Sequence, residues 1–116
     1  MRAGQYYEDL AQQFLIAKGL QLVARNWHCR GGELDLIMLD NDELVFVEVR
    51  YRKSASFGGA LESITPGKQA RILLAAQGFL QQHPEWQSHA CRFDVIALQG
   101  SQAPYQLQWL QHAFML

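Results

Sequence analysis

The stretch GELDLIMLDNDELVFVEVRYR, residues 32–52, contains two apolar segments separated by a short polar turn. Their residue types predict two β-strands, 33–39 and 43–52, joined as an antiparallel hairpin. Each strand nevertheless contains a carboxylate within its apolar run, Asp35 in the first and Glu48 in the second. The hairpin therefore decides both the fold and the candidate functional site.

The length of the turn determines which residues face each other. A two-residue loop and a four-residue loop both pair Leu39 with Leu44, and both place Asp35 opposite Glu48. Facing side chains of this kind have Cβ atoms about 4.5–5.5 Å apart, and like charges at that distance destabilise a sheet. A shared proton, a neighbouring cation or a bound metal ion would offset the repulsion. A three-residue loop would remove this pairing.

Alternation along the second strand divides its side chains between two faces. One face carries core residues, namely Val45, Val47, Val49 and Tyr51. The other face begins apolar and ends charged, with Leu44, Phe46, Glu48, Arg50 and Arg52. Such a face is expected to be buried at one end and to open into a cleft at the other. Paired carboxylates there supply the oxygen ligands that Mg²⁺ prefers, and arginines can hold a phosphate through their planar guanidinium groups. The alternative is a structural ion pair between Glu33 and Arg50.

The remaining periodicity predicts one α/β domain over residues 1–116, a length that suits a single domain. Helices are expected over residues 4–18 and from Pro66 to about Gln82, with Thr65 as the N-cap of the second. A loop rich in Ser and Gly is expected over residues 53–64. Further strands are predicted at 20–27, 91–98 and 105–112. The order α-β-β-β-α-β-β predicts a mixed sheet covered by helices.

Composition excludes several classes of protein. The chain is 49% hydrophobic and 18% charged, with a formal net charge of −1, so an anionic partner would have to meet a local basic patch. The N-terminal segment MRAGQYYEDL lacks the apolar run of a signal peptide, and no stretch reaches the roughly 18 apolar residues of a membrane span. We therefore expect a cytoplasmic protein that does not interact with membranes, with Cys29 and Cys91 as reduced thiols.

The segments GELDLI (32–37) and VFVEVRYR (45–52) resemble the GE(I/L)D and (V/F)VEVK motifs of the YraN family of small bacterial proteins. The pattern extends over nearly the whole chain through Gly4, Glu8, Asn26, Phe57-Gly58, Lys68, Arg71, RFDV (92–95) and HAF (112–114). This family is distantly similar to archaeal Holliday-junction resolvases. The resemblance implies a restriction-endonuclease-like fold.

The resolvase resemblance also implies an activity, a metal-dependent endonuclease acting on structured or branched DNA. It implies that Asp35 and Glu48 bind Mg²⁺ or Mn²⁺ and that Glu8 completes the acidic cluster. The nuclease pattern has a lysine two residues after the glutamate, where this chain has Arg50. Arginine stays protonated and cannot act as a base, but it can stabilise negative charge on a phosphate. The DNA-binding residues would be Arg50, Arg52, Lys53, Lys68 and Arg71, and by analogy the protein would act as a homodimer.

Several of these residues have structural alternatives. Glu8 lies near a helix N-terminus, where the helix dipole alone favours a carboxylate. Tyr51 and Phe57 could stack on bases, although such aromatic residues also pack on a core. Asp94 could support a metal site or simply pair with Arg92.

Two histidines and two cysteines raise the alternative of a zinc site. His28-Cys29 and His89…Cys91 have the right ligand types. Their spacing is poor for zinc, because adjacent residues of a strand point to opposite faces. For the whole protein, the alternatives to a nuclease are a non-catalytic nucleic-acid-binding module and a protein-interaction domain on a degenerate nuclease fold.

Overall fold

The computed structural model describes residues 3–54 and 62–114. The elements in chain order are α1 (Ala3–Ala17), β1 (Gln21–Cys29), β2 (Gly32–Asp40), β3 (Glu43–Arg52), α2 (Pro66–Gln82), a 3₁₀ turn (Pro84–Trp86), β4 (Cys91–Gln99) and β5 (Gln106–Phe114). This order confirms the predicted succession of helices and strands. The first and last strands each extend two residues beyond their predicted ends. Most of the predicted loop, residues 55–61 with Phe57, lies outside the described residues.

The five strands form one mixed sheet in the order β1-β2-β3-β4-β5. The pairs β1–β2, β2–β3 and β4–β5 are antiparallel, whereas β3 and β4 are parallel. Parallel neighbours need a crossover connection, and α2 lies in the segment that joins β3 to β4. The structure is thus an α/β fold with a five-stranded mixed sheet flanked by helices.

Among the described elements, α2 packs on one face of the sheet and α1 packs on the other. Leu44 and Phe46 of β3 belong to the apolar layer under α2, which includes Ile72 and Phe79. Val45 and Val47 belong to the opposite layer, under α1, which includes Ala11, Leu15, Ile96 and Leu98. The face that carries the valines is therefore core, as its sequence predicts.

Local signals at the ends of α2 match its boundaries. The Thr65 hydroxyl accepts a hydrogen bond from the backbone N–H of Lys68 at 3.3 Å, and Pro66 begins the helix. Proline at the first helical position loses no intrahelical hydrogen bond. At the other end, the His83 N–H donates to the Phe79 carbonyl at 2.9 Å. These contacts define where α2 begins and where it ends.

A buried ion-pair network joins β4 to the hairpin turn and to β5. Arg92 contacts Asp94 at 3.1 Å, Glu43 at 2.8 Å and Asp40 at 2.9 Å. The fully buried Asp94 also accepts hydrogen bonds from the Trp109 indole at 2.9 Å and from a backbone N–H of β5 at 3.1 Å. The predicted pairing of Asp94 with Arg92 is confirmed, and these partners give Asp94 a structural role.

No helix in the described part of the chain is long and apolar enough to cross a membrane.

Candidate active site

The observed hairpin has the predicted register. Leu39 pairs with Leu44, and the pairing continues from Asp40–Glu43 at the turn to Leu36–Val47. Asn41 adopts a left-handed conformation with φ of 54°, which asparagine tolerates better than most residues do. A two-residue loop at Asn41-Asp42 therefore joins the strands.

Asp35 and Glu48 lie immediately beyond the last regular pair of the hairpin. The Asp35 carboxylate accepts a hydrogen bond from the Val49 N–H at 2.9 Å. The two carboxyl groups are close enough to share a hydrogen bond, and each affects the pKa of the other. An ionised carboxylate can only accept, so a shared hydrogen bond requires a proton on one of the two groups. The predicted meeting of the two side chains is thus found in the structure.

The alternation of side chains between the two faces of the sheet is interrupted at Asp35. Leu34 packs under α2, as Ile37 does, whereas Leu36 packs under α1. On the neighbouring strand, Asn26 has φ of 50° and lies between the regular pairs on either side of it. Side-chain alternation therefore breaks at Asp35, and this break was not visible in the sequence.

Burial and mutual repulsion dominate the electrostatics of this carboxyl pair. Burial and the charge of Asp35 raise the pKa of Glu48 to about 9. The pKa of Asp35 is also raised, mainly by burial, although the Val49 N–H and the Glu48 hydrogen bond oppose the rise. The pair therefore holds a proton near neutral pH, and a cation could replace that proton.

Glu8 lies near Asp35 but has its own partners. Its carboxylate contacts the Arg25 guanidinium at 3.4 Å and is hydrogen-bonded to the Asn26 side chain. Burial and the charge of Asp35 raise the pKa of Glu8. Arg25 also contacts Asp9 at 2.6 Å, so it joins two carboxylates of α1 to β1. The structure does not gather Glu8 with Asp35 and Glu48 into one ligand set.

Larger ligand sets are also absent from the described residues. Within residues 3–54 and 62–114, no three His, Cys, Asp or Glu side chains are grouped to hold a metal ion. The alternative of a zinc site at His28, Cys29, His89 and Cys91 therefore has no support, and both thiols are free. What the described residues offer is the pair Asp35 and Glu48, within the one or two carboxylates that Mg²⁺ usually takes from a protein.

A cleft of about 590 Å³ opens beside Glu48. Its lining comes from the β1–β2 turn, the end of β3 and the first turns of α2: His28, Gly31, Gly32, Glu33, Glu48, Arg50, Lys68, Arg71 and Ile72. The cleft confirms the expectation that the charged end of this sheet face opens into a cavity. It also brings three of the five predicted DNA-binding residues together.

The three cationic side chains of the cleft, Arg50, Lys68 and Arg71, differ in their contacts. Arg50 approaches Glu48 only to 4.0 Å, and its Nε atom is buried without a hydrogen-bond partner. Lys68 and Arg71 extend from the first turns of α2. Arg52 and Lys53 are exposed and are not among the lining residues. Among the described residues that line the cleft, Arg50 therefore provides a buried donor without a partner.

A glycine permits the close approach of the β1–β2 turn to α2. A Cβ atom added to Gly32 would lie 2.3 Å from the Arg71 carbonyl oxygen and 3.2 Å from the Ala75 Cβ. Both distances are shorter than ordinary contacts, so only glycine fits without movement of the helix. Gly32 thereby holds Arg71 at the cleft, a role that the sequence alone did not reveal.

The structure decides between the alternatives that the sequence left open for Glu33 and Tyr51. Glu33 does not pair with Arg50; it contacts His28 at 3.2 Å across the β1–β2 hairpin. Tyr51 does not face a ligand site, because its ring stacks on Tyr7 with centroids 4.0 Å apart and its hydroxyl donates to a backbone carbonyl at 2.6 Å. The packing alternative for Tyr51 is thus correct.

The fold and the cleft define a class, a small α/β protein with a five-stranded mixed sheet and a half-buried carboxyl pair at the edge of a cation-lined cavity. The chain belongs to the uncharacterised protein family UPF0102, whose family model matches residues 7–98. This result confirms the family resemblance found in the hairpin motifs.

Curated relatives match along almost their full length. A UPF0102 protein of Pseudomonas putida strain GB-1 is 62% identical over 114 residues, which cover 97% of this chain and 93% of the relative. A UPF0102 protein of Pseudomonas entomophila strain L48 is 60% identical over 113 residues, covering 97% and 92%. One from Stutzerimonas stutzeri strain A1501 is 52% identical over 112 residues, covering 97% and 93%.

Proposed function

We propose that this protein is a divalent-metal-dependent endonuclease that acts on structured or branched DNA, on a restriction-endonuclease-like core. The observation that carries the proposal is the contact between Asp35 and Glu48 at a cleft lined by Arg50, Lys68 and Arg71. A carboxyl pair beside several cations suits a substrate that brings both a metal ion and phosphate groups.

The residues present fit Mg²⁺ or Mn²⁺. Asp35 and Glu48 supply oxygen ligands, the type that these ions prefer. Their burial and contact raise both pKa values, so a cation would relieve a repulsion that otherwise requires a proton. Glu8 adds negative charge near Asp35 while it is bound to Arg25. A bound divalent ion would supply Lewis-acid stabilisation of the phosphate and a more acidic water.

The protein's own cations would bind and orient the phosphodiester. Arg50 has a buried Nε donor without a partner, and a phosphate oxygen at the cleft would satisfy it. Lys68 and Arg71 lie at the positive end of the α2 dipole, which also favours an anion. Arg52 and Lys53 would extend the contact along the DNA outside the cleft. Because guanidinium groups remain protonated, Arg50 would stabilise charge rather than accept a proton.

Cleavage assays with matched variants test the proposal. Wild-type protein should cut four-way junction or flap DNA with Mg²⁺ or Mn²⁺, and Asp35→Asn and Glu48→Gln should each abolish cutting. Asp42→Asn, an exposed carboxylate at the far end of the hairpin, is the control and should cut normally. Cleavage that survives both site substitutions would refute the assignment. If the enzyme cuts two strands as a symmetric homodimer, light scattering should give twice the monomer mass of 13.2 kDa.

A non-catalytic nucleic-acid-binding module is the second candidate. It is favoured by the ion pair of Glu8 with Arg25, which leaves Asp35 and Glu48 as the carboxyl pair of the described cleft, and by arginine at position 50. This candidate predicts binding that weakens as salt rises and that is reduced by Arg50→Ala, without cleavage in any metal. Binding without cutting would select this function over the first, and absence of binding at low salt would count against both.

A further inference from the structure

We propose that His28, held by Glu33, is the proton acceptor of the cleft, a role that rests on the proposed nuclease function. The His28 Nδ1 atom lies 3.2 Å from a Glu33 carboxylate oxygen, and both residues line the same cleft as Glu48 and Arg50. The two residues face each other as a regular pair of the β1–β2 hairpin. The backbone thus fixes their contact, although both side chains are largely exposed.

Hydrolysis of a phosphodiester by water requires a group that accepts a proton from the attacking water. The described titratable groups of the cleft come from three elements besides β1: Glu33 on β2, Glu48 and Arg50 on β3, and Lys68 and Arg71 on α2. Arginine does not deprotonate, and a lysine ammonium is protonated at neutral pH. Glu48 is not free to accept the proton, because it shares a proton with Asp35 or would bind a metal ion together with it. Of these groups, imidazole is the base suited to neutral pH.

The Glu33 contact determines which imidazole nitrogen is available. When Nδ1 carries the hydrogen that faces Glu33, the Nε2 atom of neutral His28 has a free lone pair. A carboxylate on Nδ1 also stabilises the imidazolium that forms when Nε2 accepts a proton. Glu33 is therefore the positioning residue, and His28 is the group that meets the attacking water.

The proposed step balances in atoms and charge. A water molecule transfers one proton to His28 Nε2 while its oxygen forms a bond to phosphorus. The bond between phosphorus and the leaving sugar oxygen breaks, and that oxygen takes a proton from solvent. The imidazolium then releases its proton to solvent, which returns the cleft to its starting state.

Cleavage kinetics of His28 variants test this inference on the full-length chain. His28→Gln should lower kcat by about 10²- to 10⁴-fold, the range typical of general acid–base catalysis. Its affinity for junction DNA, measured by fluorescence anisotropy in EDTA, should change less than about threefold, because His28 is proposed to act on the attacking water and not on the phosphate backbone that supplies most of the affinity. Glu33→Gln should give a smaller loss of kcat, and His112→Gln, an exposed histidine on β5, should cut normally.

Two further readouts separate proton transfer from a structural role. The pH profile of the wild-type cleavage rate should change shape in His28→Gln. Free imidazole should restore part of the activity of His28→Ala, which a structural role would not allow. A wild type that cuts while His28→Gln keeps its rate and pH profile overturns this inference alone. Absence of wild-type cleavage with every metal tested would reject the nuclease function and this inference together.

Discussion

The carboxyl pair makes folding stability depend on pH in a defined direction. Burial and the charge of Asp35 raise the pKa of Glu48 in the folded protein to about 9, whereas the same group in the unfolded chain has its ordinary pKa of 4.5. Between these values the folded state binds more protons than the unfolded state does. Raising the pH through this window therefore lowers the free energy of unfolding.

The size of the effect follows from one proton. A difference of one bound proton changes the free energy of unfolding by about 1.4 kcal/mol per pH unit. Between pH 5 and pH 7 the carboxyl pair should thus remove up to about 2–3 kcal/mol. Glu48→Gln should abolish this contribution, because the neutral amide can still donate to Asp35 and has no proton to lose. The variant should be more stable than wild type at pH 8.

Urea denaturation followed by tryptophan fluorescence measures this difference. Unfolding free energies are determined at intervals from pH 5 to pH 9 in EDTA, and the curve of Glu48→Gln is subtracted from that of wild type. Glu85→Gln, an exposed carboxylate far from the cleft, is the control and should follow wild type. Parallel curves for wild type and Glu48→Gln would show that the carboxyl pair holds no proton.

Three other substitutions test the structure around the site. Gly32→Ala should destabilise the protein by about 1–3 kcal/mol through its clash with the α2 backbone. The control Gly67→Ala should not, because its Cβ would meet nothing closer than 3.9 Å. Equal unfolding free energies for the two variants would contradict the close packing at Gly32. Asp94→Ala should lower the free energy of unfolding by about 3–5 kcal/mol in chemical denaturation, because it removes one partner of the buried Arg92 charge. A loss below 1 kcal/mol would contradict the structural role of Asp94. Tyr51→Phe should lower stability by about 1 kcal/mol through loss of one hydrogen bond, and an unchanged denaturation midpoint would place that hydroxyl in solvent.

Local patterns determined much of the hairpin before any tertiary contact was considered. Strand alternation assigns Val45 and Val47 to one face and Glu48 to the other, because successive side chains of a strand point to opposite sides. The short turn determines the register, which carries Asp35 toward Glu48. Capping signals at Thr65 and Pro66 located the start of α2 for the same reason, since they act within one turn of helix.

Contacts between distant segments decided the rest. Glu8 pairs with Arg25 because α1 docks on β1, and no local pattern specifies that docking. The cleft exists because the parallel β3–β4 pairing and the glycine at position 32 bring α2 against the β1–β2 turn. Side chains in the cleft come from three separate parts of the chain, which only packing can bring together. By itself the sequence determined the carboxyl pair, and the tertiary structure decided which cations and which histidine share its cavity.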